Sequence, residues 1–437
     1  MGLISRLAAS ADVPVFPVVG IGGRTAARSL ATLGGIRVVD HPRAAVLMLL
    51  VGRPTRSLLR PLLAVHDQLS GPRCTVWWRT GRDGGDELVA ALPAVEVLPV
   101  GDASALRRVF TELVNGARAS DPPALDDIET TPWRGVGPYG QGGSGMTGGT
   151  PYGRPLVGRA PDPDGLQLDQ LPLQVGPFFG PFPPGLVLHL EVQGDVVRHA
   201  SLGENPFTRW PGDAPLGPLE SGVFFDAVAE VAPVAGLELA RARHHLRWAS
   251  DALRLHGLCS PARRLAALAE RIAPGDAELV VRIARQLGRS RSLASVMRGV
   301  GVVDPERHGL RQGIVARSTG VPEDARLSDP AYRPLGFEPI VHEGGDAWAR
   351  FRQRLDEAAQ ALILAERAGE RIRAPGPAVE GPRGALAAGA PSPSGQLLGI
   401  LPELLVDQEW GDALTIVTSL DLDVEEAAHE VPAEASA

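Results

Sequence analysis

Over roughly its first 118 residues the chain alternates short apolar runs with helix-like stretches, and that alternation leaves few folds open. Val15–Val19, Arg37–Val39, Ala45–Val51, Thr75–Trp78 and Val95–Val100 read as strands. Arg24–Leu33, Ser57–Leu69, Asp86–Leu92 and Ala103–Asn115 read as the helices between and after them. Strands joined through helices lie parallel, so residues 1–118 are expected to form a small doubly wound α/β domain. Gly20-Ile21-Gly22-Gly23 follows the first strand where a phosphate-binding turn would stand. The full dinucleotide fingerprint is missing, and Asp40 is the only acid near the end of the next strand. A tight turn between strand and helix is the simpler reading.

The pattern breaks after residue 118. Asp121–Trp133 is acidic and proline-bearing, and Gly135–Gly153 holds nine glycines interleaved with Tyr139, Met146 and Tyr152. Residues 119–170 therefore read as an acidic linker and a long ordered loop, since a flexible spacer would carry fewer large side chains. Leu186–Val192 alternates, with Gly194-Asp195 as a hairpin turn before Val196–His199. From about 221 to 370 the period becomes helical. Leu239, Ala242, Leu246, Ala249 and Leu253 make one buried stripe, and Trp348, Phe351, Leu355, Ala358 and Leu362 make another behind a cap at Asp346. Two such helices point to a helical bundle core with flanking β segments. Ala374–Val424 returns to glycine, proline and β-like runs such as Leu414–Val417. The acids of Asp126–Glu129 and of Asp421–Glu434 read as solvated, with residues 426–437 as an acidic tail.

Composition excludes several classes of function. The net charge is -8 and all 43 basic residues are arginines, which argues against non-specific binding to nucleic acid or an anionic lipid surface. The longest apolar run, Ala44–Val51, is far short of the roughly 18 residues a membrane-spanning helix needs. The N-terminus carries no secretory pattern, so a cytoplasmic location is expected, with any membrane attachment made through a partner. Cys74 and Cys259 match no metal-ligand spacing. Cys259, following Gly257 at a helix end, is read as a buried small hydrophobe. His244 and His245 project about 100° apart on a helix and are read as helix-surface histidines, not ligands.

Two stretches resemble a known family. Val296-Met297-Arg298-Gly299-Val300-Gly301 runs through Asp304-Pro305-Glu306 to Gln312-Gly313-Ile314-Val315-Ala316-Arg317-Ser318-Thr319-Gly320, then Asp324, Arg326 and Asp329-Pro330-Ala331-Tyr332. Gly345-Asp346, Trp348, Arg350, Arg354, Glu357 and Gln360 follow at helical spacing. Both are similar to the large, hydrogenase-like D subunit of NADH–quinone oxidoreductase (respiratory complex I), and the likeness extends over residues 171–425. More loosely, His41–Gly52, Leu63–Gln68 and Pro72 resemble the B subunit of that complex, the α/β partner that carries an iron–sulfur cluster. The resemblance implies a fusion of a B-like domain to a hydrogenase-large-subunit-like, D-like domain, overall α/β plus α+β.

The redox chemistry of that family asks for groups this sequence does not supply. A four-iron cluster needs four thiolates, or three with a substitute, and the B-like region has Cys74 alone, with Thr80-Gly81-Arg82-Asp83-Gly84-Gly85 at the cluster position. The nickel–iron centre of related hydrogenases needs two Cys-x-x-Cys pairs, and only Cys259 stands in the D-like half. No cofactor is expected to be held by this sequence itself. At the family's quinone site the Gly-Pro-x-His-Pro turn is matched by Gly176-Pro177-Phe178-Phe179, and no tyrosine lies between 153 and 331. Phe178, Phe179 and Phe182 either line a degenerate quinone pocket or fill it, and filling is the favoured reading. Arg317, Asp324, Arg326, Asp346, Arg350 and Arg354 fall in the best-matching motifs. They read equally as a charged relay coupling a peripheral arm to a membrane arm, or as ion pairs and caps that hold the bundle.

Three functions compete. The first is a non-redox coupling or scaffold component of a complex I-like assembly, with membrane-embedded complex I-like or antiporter-like subunits and other peripheral-arm subunits as partners. It would sit on the inner face of the cell membrane through those partners. The second is a quinone-binding oxidoreductase component fed by a partner's cluster. The third is a nucleotide- or NAD-binding protein, supported by the Gly20–Gly23 turn alone.

Overall fold

The structure, a computed structural model, describes residues 11–80, 85–126, 157–162, 164–208 and 219–429. The Gly135–Gly153 loop and most of the Gly81–Gly85 stretch lie outside them.

The first unit is an open, wholly parallel sheet. Strands β1 (Val13–Val19), β2 (Ile36–Val38), β3 (Leu47–Val51), β4 (Cys74–Trp78) and β5 (Glu96–Leu98) stand in the order β2-β1-β3-β4-β5. Helices α1 (Arg24–Ser29), α2 (Arg56–Gln68) and α3 (Ala103–Val114) connect and cover them. Central strands buried on both faces explain the unbroken apolar run of β3. Its alternate residues serve two cores: Leu47, Leu49 and Val51 pack with Leu106 and Phe110 of α3. Met48 and Leu50 belong to a core that also takes in Leu62 of α2, Leu186, Trp248 and Phe351. One connected apolar core therefore joins this unit to the rest of the molecule.

The second unit begins with an antiparallel sheet, β6 (Arg159–Pro161), β7 (Gln167–Val175), β8 (Leu188–Gln193) and β9 (Val196–Leu202), in that order. Strands β6 and the start of β7 thus occupy the end of the stretch expected to be linker. The residues of β7 carry little apolar alternation because this strand is exposed along most of its length. Upstream, Asp121 is buried against β4, where its Oδ2 accepts from Thr75 N at 2.7 Å, so the linker's start is part of the α/β unit's fold.

The body is helical, as the two stripes predict. Helices α4 (Val234–Leu255) and α7 (Ala347–Ala368) pack along one another, flanked by α5 (Cys259–Arg271) and α6 (Ala277–Leu287). Asp346 caps α7, its carboxylate accepting from Ala349 N at 2.7 Å and from Gly299 N at 2.8 Å. Helices α8 (Pro393–Leu405) and α9 (Trp410–Leu420) complete the described core.

Four sequence expectations are corrected. Leu414–Val417 lies inside α9, because Ala413, Ile416, Val417 and Leu420 form a helical stripe that outweighs local β propensity. Cys259 is exposed at the start of α5. His244 and His245 are buried, since α4 is central and touches neighbours on several faces. Asp421, Asp423, Glu425 and Glu426 are buried too, which overturns the solvated reading of the acidic end as far as the described residues reach. Asp126 is exposed as expected.

Candidate functional site

Burying a charge is costly unless it is paired and hydrogen-bonded, so the distribution of buried ions marks where this fold spends stability on something other than packing. Most of them gather in two clusters.

The first lies between α4, α7 and the loops before and after α7. Arg317 is fully buried; its Nε donates to Glu357 at 2.8 Å and its Nη1 to Glu380 at 2.8 Å, with Asp324 at 3.1 Å. Arg326 holds Asp324 through both Nε (2.9 Å) and Nη2 (2.8 Å) and reaches Glu238 at 3.2 Å. Arg241 pairs with Glu238, donates to the carbonyls of Gly381 and Glu380, and so ties α4 to the Ala378–Glu380 strand. The Tyr332 hydroxyl donates to Glu238 at 2.7 Å. Burial works to raise the Asp324 carboxyl, but Arg326 and Arg317 prevail and hold it below its ordinary range. Glu380 goes the other way: burial and the nearby Asp324 charge raise it despite Arg317.

The second cluster joins the end of the described chain to the α/β unit. Arg383 is buried, donating to Glu426 at 2.9 Å and to the Asp421 carbonyl at 2.7 Å, with Asp423 at 3.4 Å and Glu220 at 3.6 Å. Arg24 of α1 reaches Asp423 at 3.0 Å, Glu220 at 3.3 Å and the Leu422 carbonyl at 3.0 Å. Arg28 pairs with Glu220 as well. His244 Nε2 lies 2.6 Å from Asp421 Oδ2, and Arg354 Nη1 lies 3.2 Å from the same oxygen. Burial outweighs the pull of Asp421 and brings His244 down to about 4, so it is neutral at pH 7 and donates from Nε2.

The Gly20–Gly23 turn belongs to this cluster. It sits at the carboxyl end of β1, between β1 and β3, where the strand order reverses and open α/β sheets take ligands. Gly20 and Gly23 let the backbone pass Arg53 and Val51; an added Cβ would lie 2.3 Å and 2.1 Å from their carbonyl oxygens. The Gly22 N–H donates to Glu425 Oε1 at 2.8 Å. The chain's own carboxyl group thus occupies the donor that a phosphate would use, in keeping with the tight-turn reading.

The six coupling candidates divide. Arg317, Asp324 and Arg326 meet in the first cluster, and Arg354 belongs to the second. Asp346 is a helix cap. Arg350 stands apart, donating to the carbonyls of Gly301 (2.9 Å) and Gly345 (2.6 Å) and to Ser419 Oγ (2.7 Å). Burial draws it down to about 9, which leaves it charged at neutral pH. Phe179 and Phe182 pack edge-on with centroids 5.0 Å apart, and both lean on Trp410 of α9. Phe178 is half-buried against the same core. Glu238, Arg241, Glu380, Arg383, Glu220, Arg24 and the acids at 423–426 carry no motif that singles them out in the sequence. The one local signal is a charged pair, Glu380 and Arg383, set around Gly381 and Gly384 in an otherwise apolar strand and turn. Among the described residues no group of three or more His, Cys, Asp or Glu could hold a metal ion, and no helix is long and apolar enough to cross a membrane.

A shared apolar core and one buried arginine–carboxylate cluster join the α/β unit to the helical body. Residues 277–391 match the family described as "Respiratory-chain NADH dehydrogenase, 49 Kd subunit". The D subunit of the NADH-quinone oxidoreductase of Geobacillus thermodenitrificans (strain NG80-2) is 31% identical over 143 residues, 25% of this chain and 39% of the relative. A D subunit of the Chloroflexus aurantiacus oxidoreductase, the second of its kind there, is 39% identical over 88 residues, 18% of this chain and 21% of the relative. A solved archaeal respiratory membrane complex, the membrane-bound sulfane sulfur reductase, has a chain with 20% identity and a TM-score of 0.44, covering 60% of this chain and 99% of that one. Over residues 277–391 the chain is similar to the D subunit of NADH-quinone oxidoreductases. The alignments to curated relatives span 39% of their length or less. Arg317, Asp324, Arg326, Asp346, Arg350, Arg354, Glu357, Glu380 and Arg383 all lie inside the matched region.

Proposed function

We propose that this chain is a non-redox peripheral-arm component of a complex I-like membrane assembly, coupling or scaffolding ion-translocating membrane subunits. The observation that carries it is the coincidence of the family match with a buried ion network, in a sequence with two cysteines far apart. One of those cysteines, Cys74, is buried inside β4 and the other is exposed on α5. Two thiols are too few for a four-iron cluster. Buried ion pairs are weak sources of stability compared with apolar packing, so a network this size is better explained by a two-state or charge-transmitting role. The partners would be membrane-embedded complex I-like or antiporter-like subunits together with other peripheral-arm subunits, and the chain would be held at the membrane's inner face by them. The domains would be a B-like α/β domain fused to a hydrogenase-large-subunit-like domain.

The test is purification of the full chain from native membranes in mild detergent. Recovery of antiporter-like membrane subunits is expected. Recovery of this chain free of any membrane protein, across several detergents, would refute the proposal. The quinone-binding alternative predicts a reducible iron–sulfur centre close to this chain in the intact complex, and electron paramagnetic resonance on the same preparation separates the two.

A further inference from the structure

Residues 279–303 carry five arginines, Arg282, Arg285, Arg289, Arg291 and Arg298, and no aspartate or glutamate, in a chain whose net charge is -8. Helix α6 buries Ala277, Val280 and Ala284, which leaves Arg282 and Arg285 on its outer side. The Arg289 N–H donates to the Gln286 carbonyl at 3.3 Å, so the turn runs on past Leu287 and Arg289 continues that stripe at helical spacing. The short helix Arg291–Met297 follows, capped by Ser290, and buries Leu293, Ala294 and Met297. Arg291 and Arg298 stand on its exposed side. Both helices pack against α7, and their outward stripes meet at Arg289-Ser290-Arg291.

All five arginines are exposed. Among the described residues, the one carboxylate within 4.0 Å of any of them is that of Glu278, which lies at that distance from Arg282 and is itself exposed. Arg282 and Arg285, then Arg285 and Arg289, are like-charged neighbours on one helix face, a placement that weakens a helix. A face kept only for solubility mixes both signs, and this one carries a single sign. The net charge sets the field far from the molecule. At physiological salt a charge is felt over about 8 Å, so a surface in contact meets the patch and not the total. The exclusion of anionic lipid read from net charge therefore does not reach this face.

No Phe, Tyr or Trp occurs in residues 279–303. Protein interfaces are anchored by large side chains and single-stranded nucleic acid stacks on aromatic rings, and this face offers neither. The large apolar side chains exposed beside the arginines are Val296 and Val302. Arginine stems and short aliphatic groups under a layer of positive charge suit the headgroup boundary of a bilayer. We propose that the Arg282–Arg298 face is a contact surface for anionic phospholipid headgroups, through which the chain touches the membrane itself in addition to any membrane subunit. It rests on the membrane-assembly reading for its setting. Vesicles test it without partner subunits, so the two fail separately.

The test is flotation of the purified full chain with vesicles of equal parts phosphatidylcholine and phosphatidylglycerol, and with vesicles of phosphatidylcholine alone. Binding to the mixed vesicles alone is expected, and its loss at ~1 M salt, where screening shortens to about 3 Å. An arginine near an anionic surface is worth about fivefold in partition, so R285Q/R289Q/R291Q is expected to bind roughly a hundredfold more weakly. Its melting temperature should equal or exceed the parent's, because the lost charges have no acid partner and repel one another. R37Q/R56Q/R60Q removes the same charge from exposed positions of the α/β unit and should keep most of the binding. Failure to float with the mixed vesicles, or an equal loss in both triple variants, overturns the proposal. So does displacement by duplex DNA or polyglutamate at a lower concentration of negative charge than the vesicles present, which would assign the face to nucleic acid or to an acidic protein.

Discussion

Arg317 shows how much of the network hangs on one side chain. Its planar fork meets Glu357 with Nε (2.8 Å) and Nη2 (3.1 Å) while Nη1 serves Glu380 and Asp324. Removing one partner from a buried ion group leaves the others uncompensated, which costs about 3–5 kcal/mol. R317M is therefore expected to lose stability on that scale in urea unfolding, with the slope unchanged. R317K keeps the charge but cannot span three carboxyls, and should fall between R317M and the parent. A double variant R317M/E357Q that recovers part of the loss would show that the cost lies in the stranded acid. Sequence alone marks Arg317, Asp324 and Arg326 through the motif, because they are close along the chain. It cannot mark Glu238 or Arg241, which arrive from 88 and 140 residues away along the chain to meet Arg326 and Gly381.

At the scale of elements, the short helix Val424–Ala427 joins the end of the described chain to the turn after β1. Its sequence, acid-rich and followed by more acid, has the composition of a solvated tail; what buries it is Arg24, Arg383 and the Gly22 N–H, from distant parts of the chain. No periodicity in a sequence reports such an encounter. Glu425 faces Gly22, Arg24, Arg53 and Asp423, and burial, with Asp423 adding to it, pushes its carboxyl up to about 8. An unfolded glutamate titrates near pH 4.3, roughly. Between those values the folded state keeps a proton that the unfolded state has released, so this contribution is full at low pH and is lost as pH rises through about 8. E425Q imitates the protonated form at every pH. Its stability should match the parent near about pH 4–5 and exceed it by roughly 2–3 kcal/mol near pH 8, a discounted share of the shift. Parallel stability curves for parent and variant across that range would show that Glu425 is ionised throughout.

At the scale of the molecule, two forces hold the α/β unit to the helical body, and their sizes decide what unfolds with what. Arg24 leads one, through Asp423, Glu220 and Leu422, with Arg28 on Glu220 and the Gly22 N–H on Glu425 beside it. The other is the apolar core that runs from Phe16, Val18, Met48 and Leu50 through Leu186 to Trp248 and Phe351. The apolar run of β3 makes this second face legible as buried, but not what buries it. Each large apolar side chain contributes about 1.5–3 kcal/mol when withdrawn from water, so a handful of them outweighs the about 3–5 kcal/mol that loss of Arg24 would cost. R24M should thus lower the stability of the whole without separating its parts. Native-state hydrogen exchange tests this, because the slowest amides of β3 and of α7 should report one common opening free energy in the parent. In R24M both sets should fall together, by the same amount. If the β3 amides fell while those of α7 held, the electrostatic latch and not the shared core would be what makes the two units one body. The charge coupling proposed for the network would then have to cross a hinge.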